Sequence, residues 1–300
     1  MKAEDIKKVT ILGAGTMGQQ IGTASATHGY STFVYDISKE VLEKGKKRMF
    51  KLMKWMAESG IVSPQAVDEG IERLVFTTSM EEAAGDCDIV SESIPEDPAL
   101  KGKVFGQFNE LCPARTIFTT NTSTLLPSMF AEETGRPDRL AALHFHDIRI
   151  TKVVDVMPHP GTSPETMEIV EAFARNIGQL PLVMKKQSPG YVFNFMLSAL
   201  FKSAQQLAAN DVASVEDIDR AWMGVMHTPI GPFGIMDSVG LDTVYKITSY
   251  WAEKLNDPQG KKNAEFMKEY IDRGELGSKT GKGFYNYPTP EFARKDFLEK

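Results

Sequence analysis

A glycine-rich segment near the start of the chain constrains its fold more than any other feature. The run GAGTMG occupies positions 13–18, directly after an apolar run at positions 8–12 that is typical of a buried strand. The apolar positions that follow predict an amphipathic helix, which ends at Gly29. Three glycines at this spacing allow a tight turn, close approach of the backbone to a pyrophosphate, and close packing of helix on strand. The segment therefore predicts a dinucleotide-binding turn, and its expected cofactor contacts are Gly13, Gly15, Thr16, Met17 and Gly18.

An acidic residue follows this turn where the same kind of site needs one. The second predicted strand covers positions 31–35 and ends on Asp36. A carboxylate at that point accepts hydrogen bonds from a ribose diol and repels a 2′-phosphate, which favours NAD over NADP. The alternative, a glycine turn that binds no ligand, has less support because strand, turn, helix and acidic residue all occur in the expected order.

The composition excludes several classes of protein. Of the 300 residues, 42% are hydrophobic and 25% are charged, which is typical of a globular chain. The net charge of −6 argues against a general nucleic-acid-binding protein. No run approaches the roughly 20 apolar residues that a membrane-spanning helix needs, and the first strand begins too early for a targeting segment to precede it. We therefore expect a cytoplasmic protein with neither membrane nor nucleic-acid partners.

The cysteines do not suggest a disulfide framework or a metal centre. The chain contains only Cys87 and Cys112, and neither has a second metal-type ligand near it in the sequence. Two isolated cysteines are typical of reduced thiols in a cytosolic protein. We therefore predict no metal site.

The order of strand and helix patterns predicts two domains. Strands alternate with helices as far as position 186, which predicts a mostly parallel, doubly wound sheet of the Rossmann type with helices on both faces. From position 187 onward the apolar residues follow helical spacing only. The expected fold class is therefore α/β, with a Rossmann-type domain at 1–186 and an all-α domain at 187–300. The predicted strands are 8–12, 31–35, 74–77, 87–90, 116–120, 140–145, 153–157 and 182–184.

Polar residues at the carboxyl ends of these strands are the candidates for catalysis, because ligands of open α/β sheets bind there. Transfer of a hydride from an alcohol to NAD requires a base for the hydroxyl proton, and histidine titrates near the working pH. His144 closes one strand, and Asp155 on the next could orient its ring if the two strands are neighbours. Ser123 and Asn194 could hold the substrate oxygen. His146 shares a strand face with His144, so periodicity alone leaves both as candidates for the base.

A basic helix follows Asp36. Lys47, Lys51 and Lys54 lie at spacings of four and three residues, hence on one helix face. The simplest interpretation is a solvated surface. The alternative is a phosphate-binding surface for an anionic substrate such as an acyl-CoA.

These segments together resemble the 3-hydroxyacyl-CoA dehydrogenase family over nearly the whole chain. The segments that carry the resemblance are VTILGAGTMG (9–18), NTSTL (121–125), ALHFH (142–146), SPGYVFN (188–194), ASVEDID (213–219), GPFGIMDSVGLDT (231–243) and GSKTGKGFYNY (277–287). The resemblance implies an NAD-binding domain followed by a helical domain that forms a homodimer. It also implies that His144 is the general base, that Ser123 and Asn194 hold substrate, and that Glu96, Lys101 and Asn121 line the cofactor or substrate cleft.

The chain departs from the family pattern just after His144. The family usually reads Phe-Phe-Asn-Pro-Val-Pro there, whereas this chain has FHDIRI at 145–150, one residue fewer before the acidic partner, and Asp in place of Glu at position 155. The altered loop makes Arg149 a candidate contact for a free carboxylate. The resemblance implies NAD-dependent oxidation of a short-chain L-3-hydroxyacyl-CoA. The alternatives are oxidation of a free 3-hydroxy acid of the carnitine or sugar-acid type, and a non-catalytic NAD-binding structural protein.

Overall fold

The chain divides into two compact units. The computed structural model describes residues 1–299, and its units are Met1–Val192 and Phe193–Lys300. The division lies a few residues after the predicted boundary at 186/187, because the segment that follows the last strand packs with the first unit up to Val192. No helix within residues 1–299 is long and apolar enough to cross a bilayer.

The first unit is built on one eight-stranded sheet with the order β3-β2-β1-β4-β5-β6-β7-β8. Its central strands are buried on both faces, and the polar residues that end β4 and β5 are buried with them. This order confirms the predicted Rossmann-type doubly wound fold. The strands are β1 Lys8–Leu12, β2 Ser31–Tyr35, β3 Leu74–Thr77, β4 Ile89–Glu92, β5 Ile117–Thr120, β6 Leu140–Phe145, β7 Val153–Met157 and β8 Leu180–Val183.

Six helices cover this sheet. They are α1 Thr16–Thr27, α2 Lys39–Glu58, α3 Pro64–Glu72, α4 Met80–Ala84, α5 Pro98–Leu111 and α6 Pro164–Asn176. Helix α5 begins at Pro98 because the Asp97 side chain caps it, accepting a hydrogen bond from the Leu100 N–H, and proline suits the first turn of a helix.

The last two strands run against the other six. Strands β1 to β6 pair in parallel, β7 pairs with β6 in the antiparallel direction, and β8 pairs in parallel with β7. The connection between β6 and β7 is only the short segment 146–152, which reverses the chain directly instead of crossing over through a helix. Residues opposite each other on an antiparallel pair project to the same face, so this reversal decides which side chains meet beside β6.

The second unit contains helices only, apart from isolated bridges within residues 193–299. The segment at 230–234 continues directly into a helix that begins at Pro232. The last helix of the unit begins at Pro258, where the Asp257 side chain caps it. The helices are α7 Phe193–Ala209, α8 Val215–Met226, α9 Pro232–Val239, α10 Leu241–Lys254 and α11 Pro258–Asp272.

Two buried carboxylates tie the chain after α11 to the core of the second unit. Asp219 accepts hydrogen bonds from the backbone N–H groups of Phe233 and Gly234, at 2.8 and 2.9 Å, and from the Tyr285 hydroxyl at 2.9 Å. Asp237 accepts from the N–H groups of Phe284 and Tyr285 at 2.9 and 3.0 Å. Burial raises the pKa of Asp219 to about 6 and also raises that of Asp237.

Candidate active site

The three glycines of the first turn have different structural roles. Gly13 has φ +96°, and a Cβ there would lie 2.7 Å from the Ser93 carbonyl oxygen. A Cβ on Gly18 would lie 1.9 Å from the Gly13 carbonyl oxygen, so only glycine lets α1 pack this closely on the turn. A Cβ on Gly15 would meet no atom within 4 Å. Gly15 therefore leaves open space on the side where a dinucleotide-binding turn receives its pyrophosphate.

The start of α1 completes a site that fits a dinucleotide. Its N-cap is Gly15, which has no side chain to satisfy the first N–H groups of the helix, and these groups attract an anion. Asp36 lies beside the turn, where its carboxylate accepts a hydrogen bond from the Ala14 N–H at 3.0 Å and another from the Ser38 N–H at 2.9 Å. The carboxylate predicted to select NAD is therefore held against the phosphate-binding turn.

A buried ion-pair network lies at the carboxyl end of β4. The Lys101 ammonium, only 1% exposed, contacts Glu92 at 2.5 Å and Glu96 at 3.1 Å. Burial raises the pKa of Glu92 despite the ammonium beside it. Burial alone would also raise the pKa of Glu96, but the hydrogen bond from Thr122 and the Lys101 charge outweigh it and lower that pKa. Lys101 thus holds Glu96 in place from a buried position, and its predicted place along the cofactor or substrate cleft stays a prediction.

Glu96 organises the turn that follows β5. One of its oxygens accepts hydrogen bonds from the Thr122 hydroxyl and from the Ser123 N–H, at 2.5 and 3.1 Å. Asn121, at the end of the strand, accepts a hydrogen bond from the Phe145 N–H at 2.7 Å through its side-chain oxygen. The predicted residues Glu96, Asn121 and Ser123 are thus brought together at the carboxyl edge of the sheet, next to the end of β6.

The antiparallel pairing of β6 and β7 places His144 directly opposite Asp155. The His144 Nδ1 lies 3.0 Å from the Asp155 Oδ2, and both side chains are buried. Burial alone would raise the pKa of Asp155, but the neighbouring histidines outweigh it and lower that pKa. An ionised carboxylate only accepts hydrogen bonds, so Nδ1 of His144 donates and Nε2 keeps its lone pair. This is the arrangement that a general base requires.

Two further rings surround His144. The Nε2 of His146 lies 3.4 Å from the same Asp155 oxygen, and the rings of the two histidines are 4.7 Å apart. The buried Tyr191 ring packs on His144 with 4.8 Å between ring centroids. Tyr191 lies within the SPGYVFN segment, but no sequence pattern predicted a role for it.

A groove of about 410 Å³ in the first unit brings together two cationic residues that lie far apart in the sequence. Lys51 of α2 and Arg149 of the β6–β7 loop both line it, with Arg48, Leu52 and Trp55 of α2 and with Thr16, Gln19 and Gln20 of α1. Lys47 and Lys54 do not line it. The groove therefore borders a different face of α2 from the one predicted. Arg48, and not Lys47, lies on that face beside Lys51. Arg149 also forms an ion pair with Asp147.

The last predicted site residue belongs to the second unit. Asn194 lies in the first turn of α7. Its role in holding the substrate stays a prediction from the sequence.

Both units match one family, in the order that the family has. A family model described as 3-hydroxyacyl-CoA dehydrogenase, NAD binding domain, matches residues 8–187. A second, described as the C-terminal domain of 3-hydroxyacyl-CoA dehydrogenase, matches residues 190–287. The chain belongs to the 3-hydroxyacyl-CoA dehydrogenase family. It is accordingly an oxidoreductase of this type with an NAD-binding domain, which argues against the alternative of a purely structural protein.

Several known proteins share this similarity over most of their length. The mitochondrial hydroxyacyl-coenzyme A dehydrogenase of Rattus norvegicus is 35% identical over 290 residues, covering 94% of this chain and 91% of the rat protein. The structure of (S)-3-hydroxybutyryl-CoA dehydrogenase from Ralstonia eutropha is 30% identical with a TM-score of 0.86, covering 94% of this chain and 99% of that one. A diketoreductase described for its dual catalysis of dicarbonyl compounds is 38% identical with a TM-score of 0.85, at the same coverage.

Proposed function

We propose that this protein oxidises the 3-hydroxyl group of a short-chain L-3-hydroxyacyl-CoA to the 3-keto group with NAD. The observation that carries the proposal is the buried contact of 3.0 Å between His144 and Asp155, at the carboxyl edge of an NAD-binding sheet. Full-length similarity to hydroxyacyl-coenzyme A dehydrogenases supports the substrate class.

His144 acts as the base in this proposal. Its Nε2 accepts the proton of the 3-hydroxyl group, and the Asp155 carboxylate stabilises the imidazolium that forms and fixes the ring. Ser123 and Asn194 hold the substrate oxygen. When bound, NAD supplies the two-electron acceptor that the oxidation needs.

The cofactor is held by the turn at 13–18 and by Asp36. The open side of Gly15 and the uncapped start of α1 receive the pyrophosphate, and Asp36 receives the adenosine ribose diol. Glu96 and Asn121 border the nicotinamide end, and Lys101 acts through Glu96.

The groove beside α2 provides the contact for the anionic part of the substrate. Lys51, Arg48 and Arg149 place three cations around it, and their charge complements the phosphates of CoA. Lys47 and Lys54 lie on the exposed surface of the same helix, where the Lys54 ammonium is 3.8 Å from the Glu58 carboxylate. The solvated-surface interpretation therefore suits these two lysines.

A free dicarbonyl or 3-hydroxy acid is the second candidate substrate. The β6–β7 loop departs from the family pattern, and Arg149 of this loop offers a guanidinium to a carboxylate. The 38% identity to the diketoreductase supports the same alternative.

The role of the base is tested by the substitution His144→Ala. We expect kcat to fall by about 10²–10⁴-fold, because the proton acceptor is removed. NADH affinity, measured by fluorescence titration, should stay unchanged. His227→Asn, at an exposed histidine of the second unit whose φ of +54° asparagine tolerates, is the control and should keep full turnover. Near-normal turnover of the His144 variant would refute the assignment.

The substrate is tested by oxidation of NADH with acetoacetyl-CoA, compared with free 3-keto acids and simple diketones at equal concentrations. We expect the highest kcat/KM with acetoacetyl-CoA. Activity confined to the free compounds would overturn the first proposal in favour of the second.

We also propose a cytoplasmic homodimer that pairs through the helical unit. Large apolar side chains are exposed on its helices, among them Phe195, Met196, Val225 and Met226. Such a surface in water favours association with a second copy. Sedimentation equilibrium should give twice the mass of the chain. Cell fractionation should recover the protein in the cytoplasmic fraction.

A further inference from the structure

The side chains of His144, His146 and Asp155 form a compact cluster of metal-type ligands. Each offers one ligand atom, and the three atoms lie within 4.8 Å of one another. Within residues 1–299 no other group of three or more His, Cys, Asp or Glu side chains is arranged in this way. The sequence suggested no metal site, because the cluster exists only through the pairing of β6 with β7.

We propose that this cluster is a binding site for Zn²⁺, and that zinc bound there blocks the proposed base. The metal site rests on the geometry alone, whereas the inhibition rests on the proposed function of His144.

The distances suit zinc. The Asp155 Oδ2 lies 3.0 Å from the His144 Nδ1 and 3.4 Å from the His146 Nε2. Ligand atoms of a tetrahedral zinc site lie about 3.3 Å apart, given bonds of roughly 2.0–2.1 Å. The ligand nitrogens of the two imidazoles lie within 4.8 Å of each other, and rotation of the rings toward one another completes a site with two nitrogens, one carboxylate oxygen and a fourth position for water.

The charge and accessibility of the cluster also favour the binding of Zn²⁺. The second oxygen of Asp155, Oδ1, is buried and accepts no hydrogen bond from residues 1–299. A cation bound here would therefore meet a carboxylate oxygen whose charge no hydrogen bond from these residues offsets. The His146 side chain is 19% exposed, whereas His144 and Asp155 are buried, so a metal ion enters past His146.

Zinc binding changes the tautomer of His144. In the free protein Nδ1 carries the proton and faces Asp155, while Nε2 holds the lone pair. Zinc takes the lone pair of Nδ1, so the proton of the neutral ring moves to Nε2. Nε2 can then no longer accept the proton of the 3-hydroxyl group. The site gains a metal and loses its base without a net change in the protonation of His144.

His146 distinguishes this chain from the usual family pattern. The family motif usually has phenylalanine at the position of His146, and a phenylalanine supplies no ligand. The substitution His146→Phe therefore removes one of three ligands and restores a residue that this fold accommodates. His146→Gln is a second variant of similar size that retains polarity. His227→Asn, at the exposed end of α8, serves as the matched control because asparagine tolerates its φ of +54°.

The test uses the full-length chain without a histidine tag, freed of metal with EDTA and then separated from the chelator. Zn²⁺ affinity is measured by competition with a chromophoric chelator, and Co²⁺ serves as a spectroscopic probe. We expect one metal ion per chain with a dissociation constant of roughly 1–10 μM, weaker than a four-ligand structural site. Both His146 variants should bind at least about 100-fold more weakly. The His227 variant should bind as the wild type does.

Inhibition is measured in parallel. Zn²⁺ at the concentration that fills the site should abolish turnover of the wild type, EDTA should restore it, and the His146→Phe variant should resist inhibition. Equal Zn²⁺ affinity of the wild type and both His146 variants would overturn the metal site. Stoichiometric binding without inhibition would support the site and contradict His144 as the base, which separates the two proposals.

Discussion

At the scale of single residues, the site depends on charges that are buried and paired. Glu92 and Lys101 are 0% and 1% exposed and contact each other, so each neutralises a charge that water cannot reach. Such a pair contributes little net stability compared with apolar residues, but it is costly to break. Its functional consequence is at Glu96, which Lys101 holds against the turn after β5.

The substitution Lys101→Met tests this network. It leaves the Glu92 carboxylate buried without its cation, and we expect the free energy of unfolding to fall by about 3–5 kcal/mol. Chemical denaturation measures the change. Lys103→Met, at an exposed position of the same helix, should change stability by less than about 0.5 kcal/mol. Equal stability of the two variants would contradict the role assigned to Lys101.

At the scale of elements, the turn between β1 and α1 separates folding from binding. Gly18 permits the packing of α1, since a Cβ there meets the Gly13 carbonyl oxygen at 1.9 Å. Gly15 has φ −72° and ψ −170°, a conformation that alanine adopts freely, and its open side has no structural requirement for glycine.

Alanine should therefore impair cofactor binding at Gly15 and stability at Gly18. Gly15→Ala should keep the thermal midpoint of the wild type but weaken NADH binding by at least about tenfold, because the methyl group fills the space for the pyrophosphate. Gly18→Ala should lower the free energy of unfolding by about 1–3 kcal/mol or more, through overpacking. Calorimetry and NADH fluorescence measure the two effects. Loss of stability in the Gly15 variant would show that its openness is structural and not functional.

At the scale of the whole molecule, stability should depend on pH through the second unit. The pKa of Asp219 is raised from 3.8 to about 6 by burial, so the folded state holds this proton more tightly than the unfolded chain does. The contribution is complete below about pH 4 and is lost as the pH rises through 6. The hydrogen bonds of Asp219 to the start of α9 and to Tyr285 nevertheless keep it in place when ionised.

The substitution Asp219→Asn isolates this titration. The free energy of unfolding of the wild type minus that of the variant should decrease from pH 4 to pH 6 and then level off. Asp211→Asn is the control, because Asp211 is exposed and asparagine tolerates its φ of +55°. The corresponding difference for that variant should stay constant. A wild-type advantage that grows between pH 4 and 6 would contradict the raised pKa.

Local patterns in the sequence determined the glycine turn, the strands and most helices. They also determined the change from alternating strands and helices to helices only. These features depend on residues that are near one another in the chain, so spacing and polarity suffice to predict them. The family resemblance rested on the same local segments, and the matches at 8–187 and 190–287 confirm it.

Only the tertiary structure decided which side chains meet. The reversal of β7 places Asp155 opposite His144 and beside His146, and strand direction leaves no mark in a short apolar run. The burial of Lys101 and the selection of Arg48 over Lys47 for the groove depend on packing between distant segments. A one-dimensional pattern gives the period of a helix or strand, but pairing and helix rotation follow from contacts that form only when the whole sheet is assembled.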